Sequence, residues 1–449
     1  MIAVIGAGIT GLLAAYRLKQ AGLPFHVFEA SDTVGGNILS ETHGAYLLDK
    51  GPNSLRMTDE LYALLAELGL TSEIVYASEA AKNRYILKSG TYQALPSSPL
   101  SLVGNNTFSW KAKRKLMLES FVKAAENREE TVDAFFRRRL GDEWTDYAVY
   151  PFVSGIYAGD PARLLMKAAF PDVLKWEKEE GSVIKGAIKS RKNQQHKGIF
   201  NFTGGAARLC EKLANPIQSH IHLESTVSAI KKVADGFRVD TSEGPFEVNQ
   251  VISTVPAHTL ASMIAAYQKE LAAKLANISY PSVSLVHMAF KRKEIKHPLD
   301  GFGALHSPKE GSDILGTVFS STVFPGRCPD DEVLLCSFVG GALQEEKADL
   351  ELDMLEKAVL TSHQQLLGAG EPTFKYVTRW PQAIPQYDIA QFLVAEEVSK
   401  LAKDGFHLGG NWIGGISVPN TVTRANKIAQ DCIQLSVDLE NRKQTIINA

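Results

Sequence analysis

The apolar positions of the first thirty residues form short runs separated by glycines. The continuous run Ile2–Ile5 predicts a strand buried on both faces, as in a parallel sheet. Apolar residues spaced three and four apart over 10–21 predict a helix, which Gly22 ends. Phe25–Phe28 is again apolar and predicts a second strand. The order strand, helix, strand predicts a βαβ unit at the N-terminus.

The rest of the pattern divides the chain into helical and strand-rich stretches. Spacing of three and four predicts a mostly helical stretch from about 110 to 195, with helices at 111–127 and 131–140, and further helices at 59–69 and 349–367. From residue 221 the period changes to two. It predicts strands at 221–223, 237–240, 246–248, 251–256 and 406–408, and a strand-rich stretch over 280–340.

Three glycines between the first predicted strand and helix have the spacing of a dinucleotide-binding turn. Gly6 allows a tight turn, Gly8 lets the backbone approach a pyrophosphate, and Gly11 lets the helix pack on the sheet. The first residues of the helix, Ile9 and Thr10, offer unpaired N–H groups and a positive dipole end to phosphate. A bound dinucleotide is therefore expected.

The residues after the second strand indicate which dinucleotide is bound. Glu29 can accept hydrogen bonds from ribose hydroxyls, and its charge disfavours a 2′-phosphate, so NADP is a poor candidate. Ala30 follows, and then Gly35, Gly36 and Asn37. This spacing resembles the glycine pair that flavin oxidases place over the FAD pyrophosphate, which an NAD dehydrogenase does not need. We therefore expect FAD.

A second glycine-rich turn lies near the C-terminus, at 409–415, between the strand 406–408 and a helix that begins near Val418. Pro419 suits the first turn of that helix because its missing N–H would be unpaired anyway. A turn before a helix N-terminus suits an anionic reduced flavin ring. The candidate contacts here are Gly410, Asn411, Gly415, Ile416, Ser417 and Val418.

A second complete dinucleotide fingerprint is absent from the sequence. The glycines at 204–205 and 301–303 lack the full spacing. The sequence therefore does not support the two-nucleotide layout of pyridine-nucleotide reductases. We expect an organic substrate to reduce the flavin, and oxygen or another acceptor to take the electrons away.

Composition narrows the class of protein. A hydrophobic content of 45% and a charged content of 22% are typical of a soluble globular protein, and a net charge of -2 argues against a nucleic-acid partner. The four scattered cysteines predict no disulfide framework. No apolar stretch is long enough for a membrane-spanning helix, and the N-terminus is not a secretory signal. We expect a cytoplasmic protein, or one held peripherally on the inner face of the cell membrane.

Four later segments resemble the porphyrinogen oxidases of the flavin amine oxidase superfamily, and the resemblance covers essentially the whole chain. The segments are 51–54 (G-P-N-S), 83–86 with 94–96, 155–161 with 166–171, and 380–387 (W-P-Q-A-I-P-Q-Y). An ordinary amine oxidase lacks most of them. The chain departs from the pattern in two places. Asn37 stands where many members of the superfamily have arginine, and residues 419–421 and 423–424 of the C-terminal helix stand where relatives often have smaller residues.

The resemblance also implies roles for individual residues. Val227 offers backbone contacts to the adenine, and Val418 lies at the pyrimidine edge of the flavin. Arg84 falls where relatives place an arginine near a substrate propionate. The remaining cofactor candidates are Gly51, Pro52, Asn53, Ser54 and Trp380.

The expected fold is α/β, with a discontinuous Rossmann-like FAD-binding domain, a substrate domain carrying a sheet, and a helical subdomain. We expect the FAD-binding domain to comprise 1–80, 197–265 and 376–449, and the substrate domain to comprise 266–375. The helical subdomain, 81–196, is expected to associate with a membrane, as it does in several relatives.

The resemblance implies oxidation of protoporphyrinogen IX to protoporphyrin IX in haem biosynthesis, with hydride transfer to flavin N5 and oxygen as acceptor. Coproporphyrinogen III is an alternative substrate. Two further alternatives remain. One is another flavin oxidoreductase, such as an amine oxidase or carotenoid desaturase, and the other is a protein that keeps FAD without turnover. The product's aromatic stability drives the reaction, so no catalytic base is assigned. The pocket must be flat and apolar, with a positive group for propionates.

Three features have a plainer alternative. Arg84 also suits a surface ion pair. His220 and His222 alternate on a predicted strand, but without a third ligand we expect a solvated strand face and no metal. The basic run 111–115 before the apolar residues 116–118 suits either anionic lipid or a solvated helix start.

Overall fold

A five-stranded parallel sheet, with strands drawn from across the chain, forms the first layer of the protein. The computed structural model describes residues 1–96, 99–125, 129–192, 194–398 and 401–447. Four of the strands are fully or largely buried, as the apolar runs predicted, because helices and smaller sheets cover both faces. The edge strand Ile221–His222 is half-buried. The order across the sheet is Ile221–His222, Phe25–Phe28, Ile2–Ile5, Gln250–Ser253 and Phe406–Leu408.

Two helices pack together on one face of this sheet. Ile9–Gln20 follows the first strand, and Val418–Ile447 follows the last. Between them they bury an apolar cluster that includes Leu12, Leu13 and Ile428. The predicted βαβ unit is confirmed. The shorter helices Asp59–Glu67 and Arg208–Ala214 contribute to the same core.

A seven-stranded mixed sheet forms the second layer. The helix Leu352–Leu367 covers one of its faces and buries Leu355, Val359 and Leu367 against it. All neighbouring strands are antiparallel except one pair, Asn83–Lys88 with Gly301–His306. The order is Phe374–Trp380, Val283–Lys291, Glu332–Gly340, Gly316–Val318, Gly301–His306, Asn83–Lys88 and Thr91–Ala94.

This sheet contains residues from all three predicted domains. The hairpin of Asn83–Lys88 and Thr91–Ala94 lies after the boundary at 81, and Phe374–Trp380 crosses the boundary at 376. The domain limits themselves stay a prediction.

Three smaller sheets and several short helices connect the two layers. The small sheets are the meander Val227–Val233, Gly236–Thr241 and Gly244–Val248; the hairpin Ser40–His43 and Tyr46–Asp49; and the group Leu55–Arg56, Ile199–Phe202 and Ile74–Tyr76. The connecting helices are Ala257–Ile264, Lys269–Ala276, Ser320–Val323 and Ile389–Val398.

The stretch from 99 to 192 is mostly helical in its described part, which confirms the helical character predicted from about 110 and adds one helix before it. Its helices are Pro99–Gly104, Trp110–Met117, Val132–Leu140, Asp142–Trp144, Tyr150–Tyr157, Met166–Ala169, Pro171–Glu180 and Val183–Lys192, with a π-helical turn at Thr145–Val149.

The prediction of one helix over 111–127 is wrong beyond Met117. Glu119 is buried there and accepts hydrogen bonds from Nε of Arg139 at 2.6 Å and from the Ser182 hydroxyl at 2.6 Å. A fixed inward carboxylate bends the chain out of the helix. Residues 126 and 127 of that prediction lie outside the described residues.

Candidate functional site

The first glycine turn lies at the carboxyl end of Ile2–Ile5, where ligands bind in open parallel sheets. A Cβ on Gly11 would lie 2.0 Å from the carbonyl oxygen of Gly6, so only glycine fits there. A Cβ on Gly8, in contrast, would meet no protein atom within 4 Å. The space above Gly8 is therefore open to a ligand that approaches the backbone.

The helix that follows presents an anion-binding end. Its N-cap is Gly8, no side chain caps the first turn, and no acidic residue stands in that turn. The second glycine pair closes over this end, because the Gly35 N–H donates to the Ala7 carbonyl at 2.9 Å. A Cβ on Gly36 would lie 3.3 Å from Cα of Gly8. The geometry fits a pyrophosphate.

Glu29 lies at the end of the neighbouring strand, fixed by the backbone. Its Oε2 accepts from the Ala7 N–H at 2.6 Å, and its Oε1 accepts from the N–H and hydroxyl of Ser31 at 3.0 and 2.7 Å. Each oxygen keeps accepting capacity for a ribose hydroxyl. The Ser225 N–H donates to the Glu29 carbonyl at 2.8 Å, which brings the strand beginning at Val227 beside this acid.

The predicted loop 51–54 packs against the second glycine pair. A Cβ on Gly51 would lie 1.8 Å from the Asn37 carbonyl oxygen, so the two backbones touch. The Asn201 side chain donates to the Asn53 carbonyl at 3.0 Å. Trp380 joins the same loop, because its indole N–H donates to the Lys50 carbonyl at 2.7 Å.

The C-terminal glycine turn is clamped by a tyrosine that the sequence reasoning did not single out. The Tyr387 hydroxyl donates to the Asn411 carbonyl at 2.9 Å and accepts from the Gly415 N–H at 2.7 Å. Burial raises the pKa of Tyr387, so the hydroxyl stays protonated and can donate. The only sequence signal was its place at the end of the segment 380–387.

The C-terminal turn also meets the N-terminal one. A Cβ on Gly409 would lie 2.9 Å from the Thr10 side chain, and the Gly409 N–H donates to the Ser253 carbonyl at 2.9 Å. The helix that follows is capped by the Ser417 hydroxyl, which accepts from the Asn420 N–H at 3.3 Å. The structure thus brings the predicted cofactor segments together along one edge of the parallel sheet.

Arg84 lies apart from this edge, on the seven-stranded sheet. Its guanidinium stacks 4.4 Å from the centre of the Phe302 ring, and Nη1 donates to the carbonyls of Ala81 and Asn83 at 2.8 and 3.1 Å. Within the described ranges no carboxylate pairs with it, so the surface ion pair is not formed. Phe302 packs in a cluster with Phe324, and Phe324 lines a small cavity together with Asn53.

The two candidate histidines are each partly exposed, and only His222 lies on a strand, because His220 ends a 3-10 helix. His220 stacks on Phe25 at 4.6 Å, and His222 is half-buried and bonds His26 at 3.0 Å and Glu243 at 2.9 Å. Pairing of Ile221–His222 with Phe25–Phe28 brings both rings against side chains of the neighbouring strand. Across the part of the chain that the structure describes, no group of three or more His, Cys, Asp or Glu side chains is arranged to hold a metal ion.

The fold and this edge together match a known family. The family model for flavin-containing amine oxidoreductases matches residues 9–433. The chain belongs to this family, and it is an FAD-dependent oxidoreductase.

Individual relatives are similar over nearly their whole length. Protoporphyrinogen oxidase 2 of Arabidopsis thaliana is 34% identical, with 99% of this chain and 96% of the relative covered. Coproporphyrinogen III oxidase of Bacillus subtilis is 26% identical, with 96% and 97% covered. A crystal structure from Exiguobacterium has a TM-score of 0.81 at 23% identity, with 98% of both chains covered, and shows the same fold.

Proposed function

We propose that this chain oxidises protoporphyrinogen IX to protoporphyrin IX in haem biosynthesis. The observation that carries the proposal is the near full-length similarity to a plant protoporphyrinogen oxidase. The absence of a second dinucleotide fingerprint from the sequence supports it, because an organic substrate must then deliver the electrons.

The residues along the sheet edge would hold FAD. The backbone of the first turn binds the pyrophosphate at the helix N-terminus, and the second glycine pair closes over it. Glu29 binds the ribose and Val227 the adenine. Trp380 and the C-terminal turn border the flavin ring. The full set is Gly6, Gly8, Ile9, Thr10, Gly11, Glu29, Ala30, Gly35, Gly36, Asn37, Gly51, Pro52, Asn53, Ser54, Val227, Trp380, Gly410, Asn411, Gly415, Ile416, Ser417 and Val418.

The main role of the protein in this reaction is to orient the substrate towards the flavin. FAD, once bound, accepts a hydride at N5. The porphyrinogen gives up that hydride from a methylene bridge and a proton from a pyrrole nitrogen, and three such two-electron steps, with tautomerisation between them, give the aromatic ring. The protein therefore needs to exclude water and to hold a flat apolar disc by its propionates.

Arg84 is the residue we assign to the propionates. Its charge is not neutralised by a carboxylate among the described residues, and its guanidinium rests on an aromatic ring. Phe302, beneath the guanidinium, packs in an apolar cluster with Phe324, and Phe324 lines a small cavity with Asn53 of the proposed FAD loop. An unneutralised guanidinium on an aromatic ring suits the acidic groups at one side of a flat apolar disc.

An aerobic assay tests the proposal. Protoporphyrinogen IX should give protoporphyrin fluorescence and, with oxygen as the acceptor, three molecules of hydrogen peroxide per porphyrin. A primary amine should give neither product. Amine turnover without porphyrin formation would replace the proposal with an amine oxidase. Porphyrin formation without peroxide would retain the substrate and replace oxygen with another acceptor.

Coproporphyrinogen III is the second candidate substrate, because a bacterial coproporphyrinogen III oxidase also matches over nearly its full length, at lower identity. Its four carboxylates would need more cations than the two propionates of protoporphyrinogen. We therefore expect kcat/KM to favour protoporphyrinogen in a direct competition, and a preference for coproporphyrinogen would reverse the assignment.

We also propose a peripheral membrane contact through the helical stretch. Trp110 is 64% exposed and Phe121 82% exposed, and Met117 and Leu118 are each 50% exposed. They adjoin the basic run 111–115. Exposed aromatic and basic side chains in one segment suit an anionic lipid surface. Among the described residues, no helix is both long and apolar enough to span a membrane.

Vesicle sedimentation tests the membrane contact. The protein should pellet with vesicles that contain phosphatidylglycerol and less well with pure phosphatidylcholine vesicles. Phe121→Glu should weaken pelleting. Met354→Glu is the matched control, because Met354 is 57% exposed on the helix Leu352–Leu367, which is outside the proposed surface. Equal pelleting of both variants and the unmodified protein would refute the contact.

A further inference from the structure

A small cavity lies between the segment 49–54 and the seven-stranded sheet. Asp49 and Asn53 line it from the segment, and His287, Ser320 and Arg327 line it from the sheet side. Its volume is about 10 Å³. One water molecule needs roughly 10–15 Å³ measured in this way, so the cavity is at the lower limit for a single water.

Several buried polar atoms in the walls of the cavity have no hydrogen-bond partner among the described residues. Arg327 is 3% exposed and His287 1% exposed. Nη1 of Arg327 lies 3.0 Å from Oδ2 of Asp49. Yet among the described residues neither Nη1 nor Nη2, neither ring nitrogen of His287, nor the Ser320 hydroxyl has a hydrogen-bond partner. Buried polar groups rarely stay unpaired, so a ligand between them is expected.

The charges around the cavity select the kind of ligand. Asp49 offsets the Arg327 charge and is itself held by the Ser40 hydroxyl at 2.7 Å and the Ala206 N–H at 2.9 Å. Burial, with a smaller contribution from the Arg327 charge, lowers the pKa of His287 to about 4, so the ring is neutral and keeps one acceptor nitrogen. An anion would face the Asp49 carboxylate. Water can accept from Arg327 and donate to His287.

We infer that one water molecule binds between Arg327, His287 and Ser320 and holds Arg327 in place for its ion pair with Asp49, which couples the seven-stranded sheet to the segment 49–54. Asp49 begins that segment and Asn53 lines the cavity, so the water and the ion pair hold the segment against the sheet. The expected effect of this water on FAD binding rests on the proposed role of residues 51–54 as an FAD loop. Crystallography and FAD titration do not involve a porphyrinogen, so their results do not depend on whether protoporphyrinogen is the substrate.

Crystallography and FAD titration test the inference together. The holoenzyme should show one water peak within hydrogen-bond distance of Arg327 and of His287 or Ser320. His287→Phe keeps a ring and removes both nitrogens, so it should remove the water and raise the FAD dissociation constant about two- to tenfold. Phe290→Leu is the matched control, because Phe290 is equally buried on the opposite face of the same strand. Ser320→Ala, a smaller change, replaces His287→Phe if that variant does not fold.

Four results would overturn the inference. The cavity could show no peak, or hold a flavin or substrate atom. A bromide soak could give an anomalous peak there, which would make the ligand an anion. His287→Phe could lose the water and keep the unmodified FAD affinity, which would make the water purely structural. The control should lower the melting temperature and leave both the water and the FAD affinity unchanged.

Discussion

Tyr387→Phe should weaken FAD binding although the ring itself stays in place. The hydroxyl bridges the Asn411 carbonyl and the Gly415 N–H, and both groups belong to the turn proposed to border the flavin. Leaving a buried backbone group unpaired costs about 1–3 kcal/mol. If the bound form needs the ordered turn, this corresponds to roughly a five- to hundredfold higher FAD dissociation constant. Titration of the apoprotein with FAD, followed by flavin fluorescence quenching, measures it.

Tyr92→Phe is the control for this prediction. Its hydroxyl also makes a hydrogen bond, to Nε2 of His306 at 2.9 Å, but it lies in the seven-stranded sheet away from the C-terminal turn. It should lower the melting temperature and leave FAD affinity unchanged. If Tyr387→Phe binds FAD like the unmodified protein, the clamp does not shape the cofactor site and the argument fails.

Four further outcomes are expected. Gly8→Val should abolish FAD binding, since its side chain would occupy the space of the pyrophosphate; a yellow, FAD-loaded variant would contradict this. NADPH should not bleach the flavin anaerobically, and rapid bleaching would reveal a missed nucleotide site. Arg84→Ala should lower kcat/KM for porphyrinogen about ten- to hundredfold at unchanged FAD content. Arg84→Lys should recover only part of the lost kcat/KM. Unchanged kinetics in Arg84→Ala would mean that another residue binds the propionates. Burial lowers the pKa of His287 to about 4 and the pKa of His306 and His363 to about 3. Below pH 6.5 the unfolded chain therefore binds more protons than the folded chain, and the melting temperature should fall as the pH is lowered towards 4. A melting temperature that does not change over this pH range would contradict the prediction.

The N-terminal unit could be predicted from the sequence because its signals are local. The run Ile2–Ile5, the glycines after it and Glu29 lie within thirty residues, and each has one dominant structural explanation. The strand Phe406–Leu408 and the helix that begins at Val418 were predictable for the same reason.

The seven-stranded sheet could not be ordered from the sequence. Its parallel pair joins Asn83–Lys88 to Gly301–His306, more than two hundred residues apart, and no local pattern encodes that partner. The clamp by Tyr387 depends on a similar long-range contact. The helix predicted over 111–127 failed because the inward position of Glu119 depends on Arg139, which packing alone reveals.

Anaerobic mixing of the FAD-loaded protein with protoporphyrinogen IX tests the central claim most directly. With the protein in excess, flavin absorbance near 450 nm should be lost as porphyrin absorbance appears, with three flavins reduced for each porphyrin formed because each flavin accepts two of the six electrons. Primary amines should leave the flavin oxidised. Flavin that stays oxidised with protoporphyrinogen and bleaches with an amine would contradict the account.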